Sequence, residues 1–590
     1  MELKSKQKNY KKENYFQLLL LLIILISLNV LLNLIYIRLD LTSEKRYTLT
    51  ETTKNLLKNL HKEILIKIYL SGDLPYNFKH LQISIKEMLD EFISIAKEKI
   101  QYRFIDINKE YKSKKERNEV IKQLINKGLI PFSIEEKEAD DKIVQRFIFP
   151  GAIISSGDKE IIINFFSSNS FLPPELRINQ SIEDIEYNLT YAIRQIIGEF
   201  TYNIAFIEGQ GEYDEKYVAD FVNSLAQNYN VERIRLNEKI FSLSTRVYDS
   251  INNKVDVFNK YDLIIIAGPD SSFTEKNKYI IDQFIMYGGK AIFLIDGVYA
   301  DMDSLAFQNS FIAHPKDLNL GDMLFKYGVR VNYNLVQSIH CGLIPLNSSP
   351  PNTPPNYQFF PWIYLPFLLP NENHPIGKNV GIVKGQFVSS VDPVGDNPEI
   401  KKTIILSSSE FSRIINSPVK ISLSQIKLYQ KKDLFQKSLI PVGILLEGNF
   451  ESVYKYRLSP NFVEQKELAF KDQSFSTKIA VIGDANIIRN DIKRIGLNYT
   501  PLPLGFDKYT NQTFSNKLFL LNLVNYMLDP KNFSDLKSKS FQLRLINKNI
   551  TEKYKNYIIL INFVIPMLIT IFSGLLIILI RKKRYGVKKN

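Results

Sequence analysis

The sequence predicts an α/β protein whose large body lies between two membrane-spanning helices. In residues 202–297, continuous apolar segments alternate with amphipathic helical patterns, as they do in parallel sheets covered on both faces. Two apolar segments without charged residues, 16–37 and 557–580, flank the body near the two ends of the chain. The length of 590 residues allows several domains, at roughly 100–200 residues for each.

The formal net charge of +14 belongs mainly to the ends of the chain. Residues 1–15 and 581–590 hold +3 and +6 of it, which leaves +5 for everything between them. A body with nearly balanced charge is not the basic surface that nucleic acids attract, so we expect no nucleic-acid partner.

The sequence lacks the residue patterns that metal binding and phosphate binding require. The single cysteine, Cys341, excludes an internal disulfide framework and a multi-thiolate metal site. The five histidines are far apart and show no HExxH spacing, so we expect no metal site. No glycine-rich phosphate loop with Lys-Ser/Thr occurs. We therefore expect no ATP hydrolysis by that route and no cofactor.

Both apolar segments are long enough to span a membrane. They contain 22 and 24 residues, and a spanning helix needs about 20. The alternative for residues 16–37 is a cleaved signal peptide, but this run exceeds the roughly 7–15 residues of a signal core, and Arg38 follows without a small-residue cleavage site. Pro566 is expected to kink the second helix. Lys and Arg at both outer ends predict cytoplasmic termini, and a periplasmic body in a bacterial inner membrane.

The N-terminal part of the body contains a predicted βαβ unit. Thr50 is expected to cap a short helix, and residues 63–70, 78–97 and 100–107 follow as strand, helix and strand. This order resembles the thioredoxin-like fold, without the C-x-x-C of its redox members. Residues 144–165 predict short strands with a hairpin turn at 156–159, and residues 181–197 predict a helix.

The central stretch, residues 202–297, gives the clearest pattern of alternating elements. Strands are predicted at 203–207, 231–236, 263–267 and 291–295, and an apolar helical face begins at Val218. Ser272 and Glu275 have the spacing of a capping box at the start of a second helix. The layout resembles the flavodoxin and class I glutamine amidotransferase kind of sheet.

Ligands of such sheets lie beyond the carboxyl ends of the strands. Six residues at predicted strand ends therefore form the candidate binding crevice: Glu208, Gln210, Glu212, Asp270, Asp296 and Asp484. The acidic residues could act as general acid and base, or grip a sugar or a peptide. They could equally be helix caps and turn formers. Cys341 beside His340 does not lie on a strand-to-helix elbow, so it fits a buried cysteine better than a nucleophile.

The second half of the body is less regular in sequence. Nine prolines and several aromatic residues lie between 345 and 375. Phe360, Trp362 and Tyr364 there are either a docking surface for a membrane partner or part of an extended segment packed against the core. Further strands are predicted at 402–406, 442–446 and 478–482, and the last of them could rejoin the central sheet. Residues 320–327 and 514–528 are predicted helices, and the fold of 298–449 is otherwise not assigned.

The predicted boundaries are a basic cytoplasmic tail (1–15), a transmembrane helix (16–37), a thioredoxin-like α/β domain with β hairpins (38–197), a central α/β domain (198–535), a membrane-proximal segment (536–556), a transmembrane helix (557–580) and a second basic cytoplasmic tail (581–590).

Short motifs occur in a fixed order along nearly the whole chain. They include residues 38–49, 179–187, 208–212, 288–296, 326–329, 503–507, 516–526 and 538–544. Together they resemble the GldG family, the gliding-motility-associated ABC-transporter auxiliary proteins of Bacteroidota. The resemblance implies a non-enzymatic membrane component of an ABC-type complex. It also implies two partners, a permease-like subunit of the GldF kind and a cytoplasmic ATPase subunit of the GldA kind.

Two functions follow as hypotheses. The first is a doubly anchored periplasmic scaffold or substrate-binding subunit of a gliding-associated ABC-type transport complex. The alternative is a periplasmic hydrolase or transferase that acts on envelope glycan or peptide through the acidic strand-end loops.

Overall fold

The computed structural model describes residues 15–27, 29, 48–111, 113–137, 143–166, 174–198, 202–250, 254–350, 353–463, 465, 467–496, 498–537 and 554–585. The chain divides into two compact units, Met1–Lys539 and Ser540–Asn590. The first apolar segment is described as a helix over α1 (Tyr15–Ser27), which is shorter than a membrane span. Most of its remaining residues, 28–37, lie outside the described part of the chain.

The N-terminal part of the body contains a four-stranded sheet, a separate two-stranded sheet and helices. Its helices are α2 (Glu51–Lys58), α3 (Tyr76–Ala96), α4 (Ile107–Glu110), α5 (Lys114–Lys127), α6 (Pro174–Glu183) and α7 (Ile185–Ile197). Its strands are β1 (Ile64–Ile68), β2 (Ile100–Phe104), β3 (Phe132–Lys137), β4 (Ile143–Ile148), β5 (Gly151–Ser156) and β6 (Lys159–Asn164). The sheet order is β2-β1-β5-β6. β1 and β2 pair in parallel, and β5 and β6 form an antiparallel hairpin, so the predicted βαβ unit and hairpin are confirmed.

The central stretch contains six strands and two helices. They are β7 (Asn203–Glu208), α8 (Glu215–Ala226), β8 (Asn230–Arg235), β9 (Ser244–Asp249), β10 (Lys254–Asn259), β11 (Leu263–Ala267), α9 (Glu275–Met286) and β12 (Lys290–Leu294). All four predicted strands and both helices are confirmed. The capping residue is a correction, because Thr274 caps α9 and accepts from the Asn277 N–H. The Ser272 hydroxyl instead donates to the Asp317 carbonyl at 2.6 Å.

A long insertion follows β12. Its helices are α10 (Met302–Gln308) and α11 (Gly321–Tyr327). Its strands are β13 (Val298–Tyr299), β14 (Ser310–Pro315), β15 (Val329–Val331), β16 (Asn334–Ser338), β17 (Cys341–Asn347), β18 (Tyr357–Pro370), β19 (Val383–Lys384), β20 (Val391–Pro393), β21 (Ile400–Ser408), β22 (Ser412–Asn416), β23 (Val419–Ser422) and β24 (Pro441–Gly448). Within the proline-rich segment, residues 357–370 form β18.

The last part of the body returns to the central sheet. Its elements are α12 (Pro460–Val463), β25 (Thr477–Ile482), β26 (Ile492–Ile495), β27 (Asn498–Pro501), β28 (Phe506–Asp507), β29 (Gln512–Thr513), α13 (Asn516–Leu528) and α14 (Pro530–Lys537). β25 pairs in parallel with β12, so the strand predicted at 478–482 does rejoin the sheet.

The central sheet has ten strands and is mixed, where the sequence predicted a parallel one. Its order is β17-β18-β21-β24-β25-β12-β11-β7-β8, with β19 beside β18. The five strands from β25 to β8 are parallel, and those from β17 to β25 pair antiparallel. Sequence pattern predicts that a strand forms, whereas its direction depends on how the insertion connects it to the sheet.

Both faces of the parallel half are covered. On one face, Phe206 and Ile265 pack with Phe221 of α8 and with residues of α13. On the other, Ile264 and Ile266 pack with α9 and α11. All five residues of β11 are buried, as expected for an inner strand of a sheet with two covers.

In the second unit, α15 (Lys555–Tyr585) contains the predicted second apolar segment with Pro566 inside it. Lys555–Ile580 is long and apolar enough to cross a membrane. The body therefore carries one candidate membrane span among the described residues, and the two-span arrangement stays a prediction.

Candidate functional site

The candidate site lies at the carboxyl ends of the parallel strands, next to the point where their order reverses. Numbered along the chain, the parallel strands β8, β7, β11, β12 and β25 occur in the sheet as 2-1-3-4-5. In open α/β sheets of this order, ligands bind beyond the carboxyl ends of the strands on either side of the reversal. Here those strands are β7 and β11, followed by the loops at residues 208–212 and 268–271.

A first group of site residues surrounds the loop after β7. Glu208 accepts from Arg233 Nε of β8 at 2.5 Å. Arg233 Nη2 also donates to the Tyr213 carbonyl at 2.8 Å. The loop turns at Gly209 and Gly211, whose φ values of 124° and 76° favour glycine.

Glu212 fastens the same loop. Its Oε2 accepts from the backbone N–H of Gln210 at 2.8 Å. Burial raises the pKa of the Glu212 carboxyl, although the backbone donors around it act in the opposite direction. The side chain therefore has a structural task in addition to any contact with a ligand.

The first group borders a cavity of about 490 Å³. Its lining residues share one property, since all are polar, charged or glycine: Glu208, Gly209, Gln210, Gly211, Glu212, Asp214, Arg233, Arg235, Asn237 and Asn277. Three buried polar atoms of this wall have no hydrogen-bond partner among the described residues: Gln210 Oε1, Glu212 Oε1 and Arg233 Nη1. Buried polar atoms are nearly always bonded, so this wall is where a ligand or ordered water is expected to supply partners.

A second group lies at the ends of β11 and β12. Lys316 Nζ lies 3.1 Å from Asp270 Oδ1 and 3.8 Å from Asp296 Oδ2. Asp296 Oδ1 accepts from the Ala485 N–H at 2.8 Å. Burial raises the pKa of Asp296, and the Lys316 ammonium opposes this effect. The group thus joins strand ends to the insertion that contributes Lys316.

Asp484 belongs to this second group and is fully buried. Its two oxygens accept from the backbone N–H groups of Gln386 at 2.9 Å and Asn486 at 2.8 Å. Burial, followed by the nearby Asp296 carboxylate, raises the pKa of Asp484 well above its ordinary value.

The structure thus divides the six predicted crevice residues into two groups. Glu208, Gln210 and Glu212 line the cavity. Asp270 and Asp296 pair with Lys316, and Asp484 is buried near Asp296. Two hydrogen bonds connect the groups, because the Gln210 carbonyl accepts from the N–H groups of Asp270 and Ser271 at 2.8 and 2.9 Å.

Sequence reasoning missed three residues that shape the site. Arg233 occupies an alternating position of β8 and pairs with Glu208. Lys316 comes from the insertion, so no local pattern connects it to the sheet. Tyr213 packs its ring against Gly268, where an added Cβ would lie 2.7 Å from the ring. Only Arg233 could have been found from the sequence, because parallel pairing of β8 with β7 places it beside the end of β7.

Two of the three residues predicted as a partner surface are buried. Trp362 and Tyr364 are 0% exposed and belong to the core beneath β18. A docking surface needs accessible side chains, so this part of the prediction is wrong for both residues. Phe360 is half-buried, while its neighbour Phe359 is 50% exposed. The alternative interpretation, an extended segment packed against the core, describes β18.

The pair formed by His340 and Cys341 does not have the properties of a catalytic thiol. Cys341 is buried, and burial raises the pKa of its thiol to about 12. A nucleophilic cysteine requires a lowered pKa. His340 lies against the ring of Phe411, with 5.8 Å between the ring centres.

Comparison with known proteins identifies relatives of both domains. The family described as "ABC-type uncharacterized transport system" matches residues 201–523. A domain of unknown function, DUF7088, matches residues 43–155. An uncharacterized protein of Borreliella burgdorferi is 22% identical over 568 residues, which cover 94% of this chain and 95% of that protein.

Two solved structures show weak similarity. The mmIFT52 N-terminal domain has a TM-score of 0.28 and 15% identity, and the match covers 58% of this chain and 100% of that one. PurLQS from Thermotoga maritima has a TM-score of 0.22 and 12% identity, with 55% and 98% covered. Similarity at these TM-scores carries no argument about function.

Proposed function

The chain belongs to the family described as ABC-type uncharacterized transport system, and from this membership we propose that it is the substrate-binding or scaffold subunit of an ABC-type membrane complex. The family match gives the chain a transport-associated accessory role. The observation that carries the finer proposal is the polar cavity at the carboxyl ends of β7 and β8, which lies within the matched residues.

In this proposal the body is periplasmic and two helices anchor it in the inner membrane. The N-terminal thioredoxin-like domain and the flavodoxin/amidotransferase-like central domain form that body. The candidate span Lys555–Ile580 supports one anchor, and the apolar segment at 16–37 supplies the other. Its partners are a permease-like subunit of the GldF kind and a cytoplasmic ATPase subunit of the GldA kind, as in gliding-associated complexes.

We propose a role in binding rather than in catalysis. Asp296, Asp484 and Glu212 each accept a backbone N–H bond at 2.8 Å. A general acid or base must instead reach the proton of a substrate. These bonds favour the structural interpretation of the acidic loops over the hydrolase or transferase alternative.

Co-purification of the full-length chain from its native membrane tests the proposal. The chain, tagged after Asn590 and extracted in mild detergent, is expected to bring a multi-span permease and an ATPase in a constant ratio. The matched control is an unrelated single-span protein of the same membrane that carries the same tag. Recovery of the chain without either partner, together with turnover of envelope glycan or peptide, would instead establish the enzymatic alternative.

A further inference from the structure

We propose that the cavity at the ends of β7 and β8 binds a small zwitterion, namely a free amino acid or a short peptide with free termini. This inference rests on the proposed binding function, for which it names the ligand class. The volume of the cavity, about 490 Å³, falls within the roughly 300–1,000 Å³ that small-molecule sites occupy. The described residues that line it include no aliphatic or aromatic side chain, so an apolar ligand would lose its hydration without gaining apolar contacts.

The cavity offers a cationic side for a carboxylate. Arg235 lines it, and its exposed side chain makes no ion pair or hydrogen bond with another described residue. Arg233 contributes Nη1, which is buried without a partner among the described residues, whereas its other nitrogens are bonded. Guanidinium groups bind carboxylates through paired hydrogen bonds.

The same cavity offers acceptors for an ammonium group. Gln210 is 5% exposed, and its Oε1 and the Oε1 of Glu212 are buried acceptors without donors among the described residues. An ammonium group has three donors and no acceptor. A ligand that carries both an ammonium and a carboxylate therefore complements the unpartnered atoms on both sides.

A phosphate-bearing ligand fits the cavity poorly. In phosphate-binding loops, an anion accepts from the backbone N–H groups before a helix, but here the Glu212 carboxylate already accepts from the Gln210 N–H. Asp214 precedes α8, and Glu215 lies in its first turn. These carboxylates repel an additional anion at that helix end.

Titration calorimetry on the full-length chain in detergent micelles tests the inference. The probes are an equimolar mixture of the twenty protein amino acids, and glycylglycine. N-acetylglycylglycine lacks the ammonium, glycylglycine amide lacks the carboxylate, and N-acetylglucosamine is an uncharged polar control. We expect the mixture or glycylglycine to bind, and each blocked peptide to bind about 10-fold or more weakly, because each loses one charged hydrogen-bonding group.

Three variants identify the cavity as the site of binding. Arg235→Gln is expected to weaken zwitterion binding about 10-fold or more, with an unchanged melting temperature because the side chain is exposed. Glu212→Gln places an amide donor near the ammonium and is expected to weaken binding as well. Arg330→Gln is the matched control, since it removes an exposed arginine outside this cavity.

Each outcome decides the inference. Absence of binding by both zwitterionic probes overturns it, and so does preference for N-acetylglucosamine or equal binding of Arg235→Gln and the unaltered chain. Co-purification of the permease and ATPase without zwitterion binding refutes the ligand class and leaves the proposed function standing. Zwitterion binding by a chain that recovers neither the permease nor the ATPase supports the ligand class and refutes the proposed role as a subunit of the complex.

Discussion

At the residue scale, Lys316 lies between two carboxylates that are far from it in sequence. Its side chain is 7% exposed, against 15% for Asp296 and 68% for Asp270. Desolvation of an ammonium group is costly unless a carboxylate compensates it. The ion pair with Asp296 therefore holds Lys316, and with it the segment after β14, at the end of β12.

Replacing Lys316 by Met is expected to destabilise the body. The change leaves the buried Asp296 without its cationic partner, and loss of one partner from a partly buried pair costs about 2–3 kcal/mol. A lower melting temperature of the full-length chain in detergent is the expected result. Lys216→Met is the control, because the Lys216–Asp214 pair is 41% and 72% exposed and should contribute less than about 1 kcal/mol. Equal effects of the two changes would contradict the role assigned to Lys316.

Asp484 should make stability depend on pH. Its pKa is raised in the folded chain, so the folded state holds a proton that the unfolded state releases near the ordinary aspartate pKa of about 3.9. The stability from this proton is fully present below that value and is lost as pH rises through the raised pKa. The unaltered chain should therefore lose stability relative to Asp484→Asn as pH rises above about 4 and through the raised pKa.

Thermal melting of both proteins across this pH range measures the difference. Asp262→Asn provides a comparison at another aspartate, one whose Oδ2 accepts from the Asn203 N–H at 2.8 Å. Parallel curves for the unaltered chain and Asp484→Asn would show that Asp484 takes up no proton on folding.

At the element scale, α7 and α13 join the N-terminal domain to the central sheet. Asn525 Oδ1 accepts from Tyr229 at 2.7 Å and from Tyr191 at 3.3 Å, and its Nδ2 donates to the Tyr187 hydroxyl at 3.3 Å. Arg194 of α7 pairs with Asp529 at 2.9 Å. Tyr187 and Asn525, which belong to the motifs at 179–187 and 516–526, therefore lie where α7 packs against α13.

Replacing Asn525 by Leu should weaken this junction. Three tyrosine hydroxyls lose their hydrogen bond to the Asn525 amide, and each lost hydrogen bond costs about 0.5–1.5 kcal/mol. We expect a lower melting temperature and faster proteolysis of the full-length chain. Tyr191→Phe should have a smaller effect, since the Asn525 amide keeps its other partners. Protease resistance equal to that of the unaltered chain would contradict the proposed importance of Asn525.

Elements with a strong local pattern were predictable, and their arrangement was less so. Alternating or continuous apolar residues predict β7, β11 and α8 because local burial fixes them. The N-cap of α9 was missed by two residues, since Ser272 and Thr274 both have capping chemistry and only the contact of Ser272 with Asp317 excludes it. The antiparallel half of the sheet depends on long connections, which residue periodicity does not encode.

At the scale of the whole molecule, the proposed topology has two anchors with both termini in the cytoplasm. The charge of residues 581–590 and the span Lys555–Ile580 support this orientation. A reporter enzyme fused after Asn590 is expected to be active in its cytoplasmic form, and a second fusion between β17 and β18 is expected to report the periplasm. A periplasmic signal from the first fusion would contradict the two-span topology.

The sequence by itself determined the α/β class, the strands of the central stretch, the apolar C-terminal helix and the absence of a phosphate loop. Each of these depends on residues that are neighbours along the chain. Only the tertiary structure separated Glu208, Gln210 and Glu212 from Asp296 and Asp484, and buried Trp362 and Tyr364. It also brought Arg233 and Lys316 to the strand ends. These outcomes depend on contacts between distant segments, where the free energy of burying a polar group is decided by partners that local sequence does not reveal.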